Sequence, residues 1–503
     1  MQKKFSKLGQ AFVLPISVLP IAGLLLGIGS ALSTEPAISA LPFLQANWVQ
    51  VVLAFMLNAG KMIFSFLPLL FTVGVATGLA DGDQGTAAIA GISSYAIFIG
   101  TISAAIQISG IEQYINPGVI GAIFLGILVA YLHNKFRKVQ LPQYLSFFGG
   151  SRFIPIISSL SALLMGITFY FIWPFFNHGL IVLGDLFNKL GVFGTFIYGF
   201  ILRLSGGVGV HHAIYPLFWY SALGGTETVA GLNVAGAQNI YFAQLADSNF
   251  SGLFTEGTKF FAGRFTTMMF GLPAAALAMY HSIPKKNRKA NAKFYKDAAL
   301  TSFSNGITEP IEYTFMTKLP KLYLIHSILD GLAFMFSDVL KIRIVNTFSG
   351  GLIDFLIFGP LQGNSQTNWI RIIPLGLVWA VIYYVVFRFV LSKNEIDLPG
   401  AKVEEPGAGA ANNLTNNEDS KESIEQTAAI ILEGLGTADN IASIRACATR
   451  LRVQLHDNSR MDKAKLESTK PIAVLEVDGG VQVIYGAKSN IYYAEIEELM
   501  KED

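Results

Sequence analysis

Cysteine and charge are both scarce in this sequence: there is one cysteine in 503 residues, and Asp, Glu, Lys and Arg together make up only 14% of the chain. A single thiol excludes an internal disulfide framework, CxxC metal sites and thiol relays. Cys447 therefore acts alone as a nucleophile or ligand, or it is simply a buried apolar residue. An excess of one charge sign is also missing. The 36 basic and 34 acidic residues leave a formal net charge of +2. Once the lysines beside apolar runs are set aside no basic face remains, which argues against a nucleic-acid partner. What fills the chain is apolar: 52% of it is hydrophobic and 12% aromatic, well above the composition of a soluble domain. The sequence is that of an integral membrane protein in the lipid bilayer.

The first apolar run, Ala11 to Leu32, follows Lys3, Lys4 and Lys7 in the manner of a signal peptide. It is as long as a bilayer-spanning helix, whereas a secretory core has about 7 to 15 residues, so it reads as a retained span. Further apolar stretches lie near 50–80, 86–108, 116–132, 152–174, 178–202, 264–280, 322–340, 350–360 and 372–391. They predict a polytopic α-helical membrane protein of about 8–10 spans, some re-entrant, because several are broken by Gly, Pro or an ionisable residue. Basic clusters at Lys3/Lys4/Lys7, Lys135/Arg137/Lys138 and Lys285/Lys286/Arg288/Lys289 are expected in the cytoplasm by the positive-inside rule. The last span ends in Tyr383, Tyr384, Arg388 and Lys393, an aromatic and basic anchor that sends the tail to the same side. Residues 1–393 thus form the expected membrane domain, with a cytoplasmic N-terminus.

Composition changes after Lys393. The segment Leu398 to Ser423 is rich in Gly, Ala, Asn and Glu, so 394–423 reads as a flexible linker, either a swinging tether or a plain spacer. Residues 424–503 read as a small soluble α/β domain. A helical stretch (QTAAIILEGLG) precedes the alternating runs ATRLRVQL, IAVLEVDGG and VQVIYG, and SNIYYAEIEELMKE closes the chain as an amphipathic helix. Helix, two or three strands and helix predict an antiparallel sheet covered by helices on one face.

Within it Cys447 precedes Thr449, Arg450, Leu451 and Arg452. A thiol titrates near pH 8.5 in water, and a cationic neighbourhood yields the thiolate that can attack phosphorus. Arg445, Arg450 and Arg452 supply that charge, and the same guanidinium groups, with Thr449 and loop N–H groups, suit three phosphoryl oxygens. On composition and spacing alone, an inert buried cysteine beside a solvated arginine face is the favoured reading.

The run IRACATRLRVQLHD, with DNI before it and DGGVQVIYG after it, resembles the B domain of enzyme II of the bacterial sugar phosphotransferase system, glucose branch. KLGQAFVLPISVLPIAGLLLGIG, GLPAAALAMYHS, NGITEPIEYTF and IYYVVFRF followed by DLPG resemble the transporting C domain of the same family, in the same order. The resemblance implies a transferase, a protein-phosphohistidine–sugar phosphotransferase with no cofactor. Cys447 would be its phosphocysteine, and Arg450 and Arg452 would help pass the phosphoryl group on.

Two constellations stand out in the membrane half. Asn305, Gly306, Ile307, Thr308, Glu309, Pro310, Ile311 and Glu312 place two carboxylates in apolar surroundings. Such a group must face a polar cavity, pair with a cation or be protonated. A carboxylate accepts two sugar hydroxyls well, although a structural ion pair fits as readily. The resemblance makes this run the substrate loop, with Glu309 binding the sugar, Glu312 a weaker choice, and Asn305 and Thr308 beside it. The second constellation, RLSGGVGVHHAIYPLFWY from Arg203 to Tyr220, combines adjacent histidines with aromatic faces. Sugars stack on such faces, and interfacial aromatics look the same. Zinc fits poorly, because adjacent histidines point to different faces and no third ligand is near. Relatives carry a Leu-His-His run in the sugar site, so the resemblance transfers His211 and His212; here the run is Val-His-His.

The resemblance then implies a route. A separate phosphorylated A-type protein phosphorylates Cys447, the membrane domain alternates access to the sugar, and phospho-Cys447 donates to the sugar 6-hydroxyl. It also implies a homodimer. Glucose or an α-glucoside such as maltose is the expected substrate, from the Tyr-Pro-Leu-Phe-Trp run after the histidines, with N-acetylglucosamine the alternative. An ion-coupled secondary transporter would not need the Cys-Ala-Thr-Arg-Leu-Arg run, and a membrane sensor would bind sugar without uptake.

Overall fold

The computed structural model describes residues 8, 11–33, 35–110, 115–207, 211–247, 249–316, 318–347, 349–394, 398–401, 421–447, 450–471, 473–477 and 479–502. Lys3, Lys4 and Lys7, most of the linker at 402–420, and Thr449 lie outside the described residues. The described chain forms two compact units. One comprises Met1–Gly271, Phe303–Gly306 and Tyr323–Val381, and the other Leu272–Ser302, Ile307–Leu322 and Ile382–Asp503.

The first unit is helical: α1 (Leu19–Leu32), α2 (Asn47–Ser65), α3 (Leu67–Leu79), α4 (Gln84–Ser109), α5 (Gly118–Phe136), α6 (Phe153–Lys189), α7 (Val192–Gly206) and α8 (His211–Tyr220). A two-stranded antiparallel hairpin follows, β1 (Thr226–Val229) with β2 (Leu232–Ala235), then α9 (Ala237–Ala246). Without a hydrophobic driving force between helices in lipid, close backbone approach through small residues holds spans together. Gly29 and Gly60 provide it between α1 and α2. A Cβ on Gly29 would lie 2.7 Å from the Leu57 nitrogen, and one on Gly60 would lie 2.7 Å from that of Leu26.

Among the described residues, 7 helices are long and apolar enough to cross a membrane, and Leu67–Leu79, Val192–Gly206 and Leu352–Gln362 are shorter apolar helices. The expected polytopic architecture is present, but three stretches are arranged differently. The run near 50–80 is two helices, because Phe66 breaks it and Pro68 begins the next. The runs 152–174 and 178–202 do not part near Pro174. That proline sits inside the 37-residue α6, and the chain turns instead at Gly191, with φ of +54°. Neighbouring helices satisfy a backbone carbonyl freed by proline, so hydropathy breaks and helix breaks need not coincide. The run near 264–280 is not one straight helix: Thr266–Gly271 is π-helical and α10 (Leu272–Ser282) continues from it.

The chain continues through α11 (Lys285–Asn305), α12 (Glu309–Met316), α13 (Pro320–Val339), α14 (Leu352–Phe358) and α15 (Ile372–Lys393). In the second unit the Tyr384 hydroxyl lies 2.9 Å from Nδ1 of His281, and Arg388 donates to the Ser282 hydroxyl at 2.8 Å, joining α15 to α10. Phe387 meets Phe315 of α12 edge-on at 5.1 Å. The chain beyond α15 stays close, since Asn287 donates to the Gly400 carbonyl at 2.8 Å and Tyr295 to that of Pro399 at 3.0 Å.

The C-terminal region is α16 (Lys421–Gly434), β3 (Ile441–Cys447), β4 (Arg450–Leu455), α17 (Lys463–Ser468), β5 (Ala473–Val477), β6 (Gly480–Ile484) and α18 (Ser489–Glu502). The four strands form one antiparallel sheet ordered β3-β4-β6-β5. Four strands replace the expected two or three, because Ile441–Cys447 is itself a strand. A register shift between Ile441 and Ser443 breaks the period-two pattern that would have marked it. Leu451, Val453, Val481 and Val483 point to one face, where Ala428 and Ile431 of α16, Leu435 just after it and Ile496 of α18 cover them. All of these side chains are buried. Leu451→Ala removes one of the fully buried side chains among them and is expected to cost about 2–5 kcal/mol, read as a lower urea midpoint for protease resistance of the C-terminal region. An unchanged midpoint would contradict this packing.

Candidate functional site

The β3–β4 hairpin sets the geometry around Cys447. Its register places Cys447 opposite Arg450, and Arg445 opposite Arg452. Directly opposed residues share a face, so Arg445, Arg450 and Arg452 belong to the side of the sheet away from the helices. β6 adds Gln482 opposite Arg452. Like charges directly opposed across strands are destabilising, so a sheet face that pairs Arg445 with Arg452 and adds Arg450 is suited to receive an anion. The hairpin brings together the three arginines that the sequence singled out.

Arg450 is held on two sides. Its Nη1 donates to Oε1 of Gln482 at 2.9 Å, and its guanidinium lies 4.5 Å above the ring of Tyr313 in α12. Burial and the neighbouring Arg452 charge lower its pKa to about 10, while the Glu309 carboxylate pulls the other way. The guanidinium thus stays charged at neutral pH, less hydrated than a surface arginine and ready for phosphate.

The segment carrying Glu309 is built by a turn and a cap. Gly306 has φ of +68°, and a Cβ there would lie 2.5 Å from the Ser349 hydroxyl and 2.9 Å from the nitrogens of Gly350 and Gly351. The Ser349 hydroxyl donates to the Gly306 carbonyl at 2.7 Å. The N–H groups of Ile311 and Glu312 donate to the Thr308 carbonyl, both at 3.0 Å, starting α12. Glu309 and Glu312 occupy its first turn, where the helix dipole favours negative charge. Thr308 and Glu312 are buried, Glu309 is half-buried and Asn305 is exposed. Tyr313 is four residues beyond Glu309, on the same stripe of the helix. Glu309, Tyr313 and Arg450 are therefore brought together in the second unit. Tyr313 was not singled out in the sequence; the signal was an aromatic one helical turn after the carboxylate.

His211 and His212 open α8 in the first unit, half-buried, with ring centroids 3.9 Å apart. Nδ1 of His212 lies 3.2 Å from the Tyr215 hydroxyl. Behind them, the buried Arg264 guanidinium lies over Tyr215 at 5.5 Å and Trp219 at 5.4 Å. Arg203 pairs with the buried Asp330 at 3.0 Å and its carbonyl accepts from Tyr323. The sequence marked the aromatic run but not Arg264 or Asp330, whose partners are distant in the chain.

Gly306→Ala would force a Cβ against Ser349 in a backbone conformation that L side chains avoid, at a cost above about 1 kcal/mol. The expected outcome is a lower Tm of the purified protein, whereas an unchanged Tm would contradict the turn.

Comparison with known proteins places this geometry in context. The family "Phosphotransferase system, EIIC" matches residues 9–331, and "phosphotransferase system, EIIB" matches residues 429–462, which include Cys447, Arg450 and Arg452. Among solved structures, the chain is similar to the transporter ChbC, the IIC component from the N,N'-diacetylchitobiose-specific phosphotransferase system. The TM-score is 0.52 at 14% identity, over 77% of this chain and 93% of that one. At that identity the likeness concerns the fold alone. EIIC and EIIB regions in one multi-pass membrane chain support sugar uptake with phosphorylation in general terms. With the EIIC match covering more than half its length, the chain belongs to the EIIC family of the phosphotransferase system and carries an EIIB region after it.

Proposed function

We propose that the protein takes up glucose or an α-glucoside such as maltose and phosphorylates it on the 6-hydroxyl, with Cys447 as the phosphoryl carrier. Residues 1–393 carry the sugar, 394–423 act as tether and 424–503 carry the phosphoryl group, with both ends of the chain cytoplasmic and two copies forming a homodimer. The observation that carries this reading is Arg450 stacked on Tyr313. The contact joins strand β4, which follows Cys447 in the hairpin, to the helix that begins with Glu309, whose charge acts on the same guanidinium.

The chemistry follows in two transfers. The Cys447 thiolate attacks phosphorus on the phosphohistidine of an A-type protein; an S–P bond forms and the N–P bond breaks. The sugar 6-oxygen then attacks that phosphorus, an O–P bond forms, the S–P bond breaks and the thiolate leaves. Glu309 accepts the hydroxyl proton or a histidine such as His211 does, and Arg450 and Arg452 neutralise the phosphoryl oxygens. His211 and His212, with Asn305 and Thr308, are assigned to sugar binding. Phosphorylation traps the sugar inside.

Uptake of radiolabelled glucose, maltose and N-acetylglucosamine in cells without their own carriers tests the reading. Wild type with a phosphohistidine donor is expected to yield phosphorylated glucose or maltose, and Cys447→Ser none. Labelled N-acetylglucosamine phosphate would move the specificity, and free sugar inside the cell would favour an ion-coupled carrier. A second test addresses Tyr313. A desolvated cation–π contact is worth about 1–2 kcal/mol, so Tyr313→Leu is expected to lower kcat roughly five- to thirtyfold, with Tyr313→Phe close to wild type. Equal activity of the leucine variant would remove Tyr313 from the transfer step.

A further inference from the structure

The first unit has a polar cleft whose lining includes none of Glu309, His211 and Cys447. It has a volume of about 350 Å³ and is lined by Asn116, Trp173, Asn177, Thr226, Glu227 and Asn233, among others. A second cavity of about 370 Å³ shares Thr226 and Glu227 with it and continues along Asp185, Glu256 and Lys259. Each lies within the range of small-molecule sites. Glu227 is common to both and is fixed from behind. Its Oε2 accepts from Nε2 of Gln244 at 2.8 Å, its Oε1 accepts from the Thr255 hydroxyl, and the Thr255 N–H donates to Oε1 of Gln244 at 2.9 Å. Gln244 and Thr255 are buried. The carboxylate is therefore preorganised, with acceptor capacity left over.

The location follows from the same unit. Asp81 N–H donates to Oδ1 of Asn134 at 2.7 Å and the Ser151 hydroxyl to Oδ2 of Asp83 at 2.5 Å. These bonds gather the start of α4, the end of α5 and the start of α6 at one end of the bundle. That end carries Lys135, Arg137, Lys138 and Arg152. Asn116 precedes α5, whose 19 residues span about 28 Å at 1.5 Å per residue. Trp173 lies about 30 Å along α6 from its start by the same rise. Both are at the end opposite the basic cluster, which the positive-inside rule makes extracytoplasmic.

The lining selects a class of ligand. Amide, hydroxyl and carboxylate groups together suit a polyhydroxylated molecule. Asp185, Glu227 and Glu256 outnumber Lys259, a balance that repels anions. We infer that this cleft is an extracytoplasmic capture site for a neutral sugar, separate from the site of phosphorylation, with Glu227, Asn177 and Asn233 as its hydrogen-bonding groups. The inference rests on the proposed sugar uptake and on the orientation given with it.

Sidedness tests it. The KM for uptake of radiolabelled glucose and maltose is measured in intact cells, where sugar meets the outer face. The KM for phosphorylation is measured in inside-out vesicles, where sugar meets the inner face. Loss of one hydrogen bond, about 0.5–1.5 kcal/mol net, is expected to raise the outer KM roughly two- to tenfold in Asn177→Ala and Glu227→Gln, with the inner KM unmoved. An unmoved outer KM, or an equal rise on both faces, would overturn the capture site. Wild type yielding no phosphorylated sugar would instead overturn the proposed function. In that case glucose or maltose titrated onto right-side-out vesicles of Cys447→Ser still reads the cleft. One fewer sugar bound per chain in the Asn177→Ala background supports it, and equal stoichiometry overturns it.

Discussion

The account turns on one arginine. A guanidinium is expensive to take from water unless its donors and its charge are answered nearby. Arg450 is half-buried between an amide acceptor, Gln482, and an aromatic face, Tyr313, with Glu309 offsetting part of the cost. Arg452 works against it. A face that opposes Arg445 to Arg452 and adds Arg450 gathers positive charge of the kind that suits a phosphoryl group.

The membrane portion follows a complementary constraint. In an apolar setting, charged and polar side chains are found paired or supported. Arg203 is paired with Asp330 and Arg264 is supported by Tyr215 and Trp219. Glu227 is supported by Thr255 and Gln244, and Asp354 accepts from the N–H of Thr347 at 2.7 Å. Glycine has the matching role for the backbone: Gly29 and Gly60 let helices touch, and Gly306 turns the chain into the helix that begins with Glu309.

Much of this was legible in the sequence because it is local. The apolar runs, the composition change after Lys393, the Cys447 run and the Gly306–Glu309 turn each occupy a few consecutive residues. What escaped was carried by register or by distance along the chain. Strand Ile441–Cys447 was hidden by its register shift, and with it the pairing of Cys447 with Arg450. Helix Phe153–Lys189 runs through Pro174, where hydropathy suggested a break. The partners of Arg203 and Arg264, and the cation–π contact of Arg450 with Tyr313, join segments that no window along the sequence brings together.

The most direct test of the central claim is to follow the phosphoryl group itself. The full-length protein is labelled with radioactive phosphate from a phosphorylated A-type donor, quenched, digested and mapped before and after addition of glucose or maltose. Label on the peptide that contains Cys447, chased into sugar phosphate within one turnover, is the predicted result. Label on a histidine peptide, or label on Cys447 that sugar does not discharge, would contradict the account.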